Sequence, residues 1–376
     1  MLTLNEFLEK PHREFKEIED VFNPGNRLSG YICLESTKYY GALWLTEING
    51  MQCKEQLILS APKMHYPYNR NEKFYFYNTL EVSPAYQKYD GTAIIAYAYE
   101  FKGKVFRTFK TRMTAIAQSF EMYDFVGMWK EMIEKYPEVI NLPSEELTIV
   151  FELYGIRNKH LIIYPIELNA VVLFGINRKT EQIVLPEDVG TKQVPAAGKY
   201  YDIKPEHNFE DFYKRIRGEL ESTNKVTDFG IEGSEGSVIY VKDFELGWIQ
   251  WKCKPESVMA VHMKPGLSRK DILTTCYNAL ENVSLEELNY EFVKELLMEE
   301  VTDREVDSRK TLVLKCIEEV KEEVYIRNTL IKRYKEFGVS LKEDKVKVMR
   351  FMSQHYPKNR MTYVYAILSA LDGKEN

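Results

Sequence analysis

Lys88 stands in Lys88-Tyr89-Asp90-Gly91, between Ala85-Tyr86-Gln87 and the apolar run Thr92-Ala93-Ile94-Ile95-Ala96-Tyr97. A lysine held at a tight turn entering a strand is a candidate covalent nucleophile, because the bend offers its amine to a pocket while flanking strands fix its position. A free lysine amine titrates near ~10.4 and is mostly protonated at neutral pH, so a nucleophilic lysine needs neighbours that favour the neutral form. Nearby cations do this, and Lys252, Lys254 and Arg112 are the candidates. On a strand running from Gly247 to Lys254, alternation puts Gln250, Lys252 and Lys254 on one face and Ile249, Trp251 and Cys253 on the other. The same argument on a strand from Val105 to Met113 pairs Lys110 with Arg112. Two carboxylates, Glu152 and Glu235, lie at the ends of further expected strands. Glu232-Gly233 offers a second frame beside Glu235-Gly236, but only Glu235-Gly236 leads into an apolar strand.

The elements that must position these residues are legible in the residue texture. Thr3 with Glu6 is a capping box, and the helix it opens is expected to run to about Asp20, before Asn23-Pro24-Gly25. Residues 30–63 turn aromatic and β-branched, with Asn49-Gly50 marking a hairpin. Strands follow over 91–113, turning at Phe101-Lys102-Gly103-Lys104, and a helix over 115–135. Strand composition returns at Thr148 to Tyr154, Leu161 to Pro165 and Asn169 to Ile176. A helix over 209–220 and two strands, Gly236 to Asp243 and Gly247 to Lys254, close this part. Beyond Lys264-Pro265-Gly266 the pattern becomes wholly helical. Four capping boxes, Ser268 with Asp271, Ser284 with Glu287, Thr302 with Glu305 and Ser340 with Glu343, each precede an apolar series at helical spacing. The third helix would exceed thirty residues unless broken near Ser308 or Tyr325. The expected organisation is therefore α+β in two domains, 1–264 mixed and 265–376 all helical.

A length of 376 residues suits two domains, and 44% hydrophobic content is ample for a core in each. The apolar runs are too short to cross a bilayer, so no membrane partner is expected. Residues 1–16 lack the apolar middle of a signal peptide. Five scattered cysteines without a CxxC pair indicate neither a disulfide framework nor a zinc site, and a reducing cytoplasm is the expected location. A net charge of -6 argues against non-specific coating of nucleic acid, so any such footprint must be local. Lys102, Lys104, Arg107, Lys110 and Arg112, without an intervening acid, read equally well as that footprint or as a solvated hairpin.

In order along the chain, Lys88-Tyr89-Asp90-Gly91, Phe151-Glu152-Leu153-Tyr154-Gly155, Glu235-Gly236-Ser237-Val238 and Trp251-Lys252-Cys253-Lys254 resemble motifs I, III, IV and V of the covalent nucleotidyltransferases. That superfamily comprises ATP-dependent DNA and RNA ligases and mRNA capping enzymes. The resemblance covers roughly residues 60–255 and implies a nucleotidyltransferase fold of antiparallel sheets flanked by helices. It implies that Lys88 carries AMP, that Lys252 and Lys254 neutralise charge on the reacting phosphate, and that Arg112 contacts ribose or phosphates. Glu152 is implied to bind the ribose hydroxyls, Phe174 to stack on adenine, and Glu235 to hold Mg2+, with Mn2+ as the alternative. Gln87, Asp90 and Gly91, beside the nucleophile, would border the same nucleotide; Gly91 would ease the turn, and Asp90 would fix it or assist the metal. Ala61-Pro62-Lys63-Met64-His65-Tyr66 is similar to the lysine-bearing segment before motif I in phage RNA ligases, which makes Lys63 a contact for pyrophosphate.

DNA ligases and capping enzymes follow motif V with a small barrel, whereas helices follow it here. This departure resembles the phage RNA ligases that reseal broken tRNA. The implied activity is an ATP-dependent RNA ligase joining 5′-phosphate and 3′-hydroxyl ends, with tRNA among the candidate substrates. A DNA ligase, a capping-type guanylyltransferase and a non-catalytic nucleotide-binding module are the alternatives. Cations from Arg333 to Arg360 read as an RNA-facing surface or, more simply, as a solvated helix face. The helical domain would also suit a homodimer contact.

Overall fold

In the computed structural model the chain divides into two compact units, Met1–Lys264 and Pro265–Asn376. All residues are described except 1, 36, 70, 71, 120–123, 159, 228, 263–266, 281, 282, 299, 300, 302, 375 and 376. The breaker Lys264-Pro265-Gly266 and the capping residue Thr302 lie outside the described residues.

The Thr3 box forms as read, with the Thr3 hydroxyl accepting the Glu6 N–H and Glu6 taking the Thr3 N–H. Its helix, α1 (Leu4–Leu8), ends before Pro11 rather than at Asp20. Pro11 cannot donate to a continuing helix, and the charged residues after it form β1 (His12–Glu19), whose Phe15 is buried. With β2 (Arg27–Cys33), β3 (Leu43–Ile48) and β4 (Met51–Ile58) it makes a four-stranded meander. Asn49 and Gly50, at φ 55 and 68, supply the left-handed pair that a two-residue hairpin turn requires.

Next come β5 (Ser83–Lys88), β6 (Thr92–Phe101), β7 (Lys104–Lys110), α2 (Phe125–Lys135), β8 (Leu147–Tyr154), β9 (Asn169–Asn177) and β10 (Ile183–Val184). They are followed by β11 (Lys199–Ile203), α3 (Phe209–Thr223), β12 (Lys225–Thr227), β13 (Gly230–Glu232), β14 (Gly236–Asp243), β15 (Gly247–Cys253) and α4 (Glu256–His262). Two antiparallel sheets organise them, in the orders β10-β9-β8-β6-β7 and β11-β5-β14-β15, with β12-β13 as a separate pair. One face of the first packs Ile94, Phe151, Leu153 and Val172 on Phe125, Trp129 and Met132 of α2. The second sheet lays Ala85, Ile239 and Cys253 on Phe212, Tyr213 and Ile216 of α3. Its other face brings Tyr86, Val238 and Tyr240 against Tyr154 and Val171. Lys88, Glu152, Glu235 and Lys254 gather at that junction of the two sheets.

Three further expectations in this unit are corrected. The helix expected from Ala115 starts at Phe125, where the Asp124 carboxylate accepts the Gly127 N–H at 2.9 Å. Leu161 to Pro165 is no strand; it makes a single bridge, Ile162 to Ile231. The strand expected from Val105 to Met113 is cut short at Lys110, whose amine is buried in its own set of bonds.

Among the described residues the regular elements of the second unit are helices: α5 (Arg269–Ala279), α6 (Tyr290–Leu297), α7 (Asp303–Ser308), α8 (Lys310–Phe337), α9 (Leu341–Met352) and α10 (Met361–Lys374). The boxes at Ser268 and Ser340 cap α5 and α9. Ser284 and Glu287 make the reciprocal bonds of a box around a turn, and α6 starts later, capped by Asn289. The long helix is interrupted at Arg309, runs unbroken through Tyr325, and stops at Gly338 in the left-handed conformation. Among the described residues no helix is long and apolar enough to cross a membrane.

Candidate active site

Lys88 is the last residue of β5 and pairs with Gly236, the first residue of β14, while Ser237 pairs with Cys253 of β15. By alternation Lys88, Gly236, Val238, Lys252 and Lys254 belong to one face. Gly236, at φ +149, leaves a gap between the two lysines, and a Cβ there would sit 2.2 Å from the Cys253 carbonyl oxygen. Glu235 fills that neighbourhood from the preceding residue. Lys88 Nζ donates to Glu235 Oε2 at 2.5 Å, and Lys254 Nζ lies 3.3 Å from Oε1. Glu232, the other frame, pairs at the surface with Lys225.

Glu235 and Lys254 are both buried, and Lys88 is partly open. Burial alone would raise the Glu235 carboxyl, but Lys88 and Lys254 outweigh it and hold the group at about 2. It is therefore an anion at any working pH. Lys88 meets a carboxylate here, and the ring of cations expected around its amine is not its nearest environment.

Glu152, on β8 opposite Ala93, has the reverse character. Burial pushes its carboxyl up to about 8, with Lys88 opposing and Glu235 and Asp90 reinforcing the shift. Asp90 is raised chiefly by burial and then by Glu235, against the stabilising bond from Ile162 and the charges of His160 and Lys88. Its Oδ2 accepts the N–H groups of Leu161 and Ile162 at 2.5 and 2.6 Å, and its own N–H donates to the Tyr164 hydroxyl at 2.8 Å. Asp90 thus ties the Lys88 turn to the segment 161–164. Gly91 is needed for a close approach, since a Cβ would stand 2.1 Å from the Leu153 carbonyl oxygen.

The remaining cations border the same region. Lys252 Nζ lies 4.5 Å from the Tyr66 ring centroid, and its N–H donates to the His65 carbonyl at 2.9 Å, which fixes the 63–66 segment against the edge of β15. Lys63 Nζ and the Arg112 guanidinium stand 5.7 and 5.8 Å from the ring centroid of Tyr40. Arg112 also acts electrostatically on Glu152.

Three assignments do not fit. Phe174 is completely buried with Phe7, Trp44 and Val150 and offers no ring face to a base. Phe174 pairs with Val150, on the β8 face that also carries Glu152, but the first meander covers it there with Phe7, Cys33 and Trp44. Gln87, one residue before Lys88, falls on the opposite face of β5 with Ala85. Lys110 is fully enclosed and does not stand beside Arg112 on a strand face. This also dissolves the basic run: Lys102 and Lys104 are exposed at a hairpin, Arg107 donates to the Pro143 carbonyl, and Lys110 is internal.

Sequence reasoning missed Tyr40, Tyr66 and Tyr164, which hold the cations and the turn. The one trace of Tyr40 is the glycine after it, since a Cβ at Gly41 would lie 2.2 Å from the Arg112 carbonyl oxygen.

No group of three or more His, Cys, Asp or Glu suited to a metal occurs among the described residues. The donor set fits a hard cation that keeps most of its waters and takes oxygens from a bound phosphate, because one ionised carboxylate, Glu235, suffices for that mode.

No family model matches the chain, and no curated protein does. Among solved structures it is similar to an archaeal ATP-dependent RNA ligase in two forms, at 12% identity: TM-score 0.42 over 77% of this chain and 70% of that one, and 0.43 over 91% and 84%. A Naegleria gruberi RNA ligase variant with ATP and Mn matches at 12% identity, TM-score 0.34, over 48% of this chain and 51% of that one. An Aquifex aeolicus protein provisionally described as an ATP-dependent DNA ligase matches at 12% identity, TM-score 0.39, over 94% and 87%. At these distances the reading of the site rests on its own residues.

Proposed function

We propose that the chain is an ATP-dependent RNA ligase that works through AMP on Lys88. The observation that carries this is the buried Glu235 carboxylate receiving both Lys88 and Lys254. A reactive amine at a strand end, a carboxylate held ionised by two lysines and a row of lysines on one sheet face suit attack on a phosphate ester. In the first step Lys88, released from Glu235 and having lost a proton to solvent, attacks the α-phosphorus. The N–P bond forms as the P–O bond to pyrophosphate breaks.

Lys254 and Lys252 neutralise the charge that grows on the non-bridging oxygens, where fixed donors cost no reorganisation. Lys63 and Arg112, sharing Tyr40, bind the departing pyrophosphate. Glu152, neutral over much of its range, can donate to a ribose hydroxyl as well as accept from one. A divalent cation bound at Glu235 would screen the triphosphate charge. The AMP then passes to an RNA 5′-phosphate, and a 3′-hydroxyl attacks that activated phosphate to seal the strand and release AMP. A helical unit after β15, where DNA ligases and capping enzymes carry a barrel, favours RNA over DNA.

Incubation with α-labelled ATP and a divalent metal, followed by a denaturing gel, tests the reading. The wild type acquires label and Lys88→Ala acquires none; label persisting in that variant refutes the assignment. Parallel reactions with GTP, and with nicked DNA against RNA ends, separate the ligase from its alternatives. Activity on nicked DNA alone would overturn the RNA substrate.

A further inference from the structure

Lys110 ends β7 as a fully enclosed amine with no acidic partner among its bonds. Its Nζ lies 3.0 Å from the Gly41 carbonyl, 3.2 Å from the Ser60 hydroxyl, 2.9 Å from the Thr111 carbonyl and 2.8 Å from the Arg112 carbonyl. Burial, reinforced by Arg112 and Arg13, pushes the amine well below the usual lysine range. An amine in such a place is unfavourable unless hydrogen-bonded, and an apolar side chain would fill the space at lower cost. What the amine adds is connection. Its acceptors come from three separate stretches of chain: Gly41 follows Tyr40, Ser60 precedes Lys63 by three residues, and Arg112 is itself an acceptor. Tyr40, Lys63 and Arg112 are the three side chains gathered at one end of the site.

We propose that Lys110 is a positioning residue, whose buried amine ties together the three segments that present Tyr40, Lys63 and Arg112 to the pyrophosphate end of a bound nucleoside triphosphate. This rests on the functional reading above. It has a specific corollary, because only the first step uses the triphosphate. Sealing of an RNA supplied already adenylated at its 5′ end needs no ATP and no pyrophosphate contact.

The experiment uses the full chain and Lys110→Met, which keeps an apolar stem and removes the amine. Lysine-AMP formation is measured against ATP concentration, and sealing of pre-adenylated RNA is measured separately. The KM for ATP is expected to rise at least about tenfold, while sealing stays within about twofold of wild type. Equal losses in both reactions mean a merely structural role and overturn the proposal, as does an unchanged KM. Should Lys110→Met fail to fold by circular dichroism, Ser60→Ala removes one acceptor and keeps the amine. It is then expected to raise the KM about threefold without slowing sealing, and an unchanged KM overturns the proposal. A wild type that forms no lysine adduct overturns the functional reading together with this one. A labelled wild type with an unaltered variant KM overturns this one alone.

Discussion

Glu235 and Glu152 are two buried carboxyls in one site held on opposite sides of neutrality, the first at about 2 and the second at about 8. Two lysines on Glu235 oppose its burial, whereas Glu152 has only more distant cations, and burial wins. The signs follow from linkage. Glu235 is lowered from 4.5, so its contribution to stability is present above about pH 4.5 and is lost as pH falls through 2. Glu152 is raised from 4.5, so its contribution is full below pH 4.5 and is lost as pH rises through 8. Thermal melts of Glu152→Gln and wild type are therefore expected to diverge from pH 5 upward, the variant gaining relative stability until about pH 9. Parallel curves across that range would show that Glu152 is not held neutral. The sequence set Glu235 apart from Glu232 through the apolar strand that follows, and in the structure Glu235 meets Lys88 while Glu232 meets Lys225. It was silent on the contrast between Glu235 and Glu152, because the cations that decide it arrive from positions 88 and 254, far from both in the chain.

The strands carry the site through what they lack as well as through what they bear. Gly236 must be bare where β14 passes the Cys253 carbonyl at the row joining Lys88 to Lys254. Gly236→Ala is expected to destabilise the protein by at least about 2 kcal/mol, since backbone must move to admit the methyl group. It should also abolish lysine labelling, and a soluble variant with normal labelling would contradict that spacing. Phe174→Ala tests the opposite case. A fully buried ring lost from the core costs about 3–5 kcal/mol, and the KM for ATP should not change selectively. A selective rise in KM would restore the base-stacking role. Strand identity was legible where composition was distinctive, as at β8, β9, β14 and β15. Packing was not, because the cover that the first meander lays over Phe174 leaves no mark in residue types, and alternation carried past the true end of β7 wrongly set Lys110 beside Arg112. The helix expected over β1 failed for a visible reason: Pro11, which cannot donate to a continuing helix, stands between the Thr3 box and Asp20.

At the scale of the whole chain, the change at about residue 265 from mixed to helical texture was the plainest signal, and the capping boxes at Ser268 and Ser340 mark real helix starts. The box at Ser284 shows that the motif's reciprocal bonds can close around a turn while the helix that follows takes its start from another cap, Asn289. α8 is the longest described element of the helical unit, and its length comes from continuity through Tyr325. Its buried residues, however, fall in two groups, Val313 to Val320 and Leu330 to Tyr334. Leu330 and Tyr334 of the second group belong to a cluster shared with α9 and α10. No residue from 321 to 329 is buried, and Tyr325 is 67% exposed. A rod packed at both ends and wet at its waist should exchange its amide hydrogens in three zones, slow, fast and slow along its length. Deuterium uptake by mass spectrometry would show this as rapid labelling of peptides spanning 321–329 between two protected flanks. The helical unit would then behave as two separately melting halves threaded on one continuous backbone.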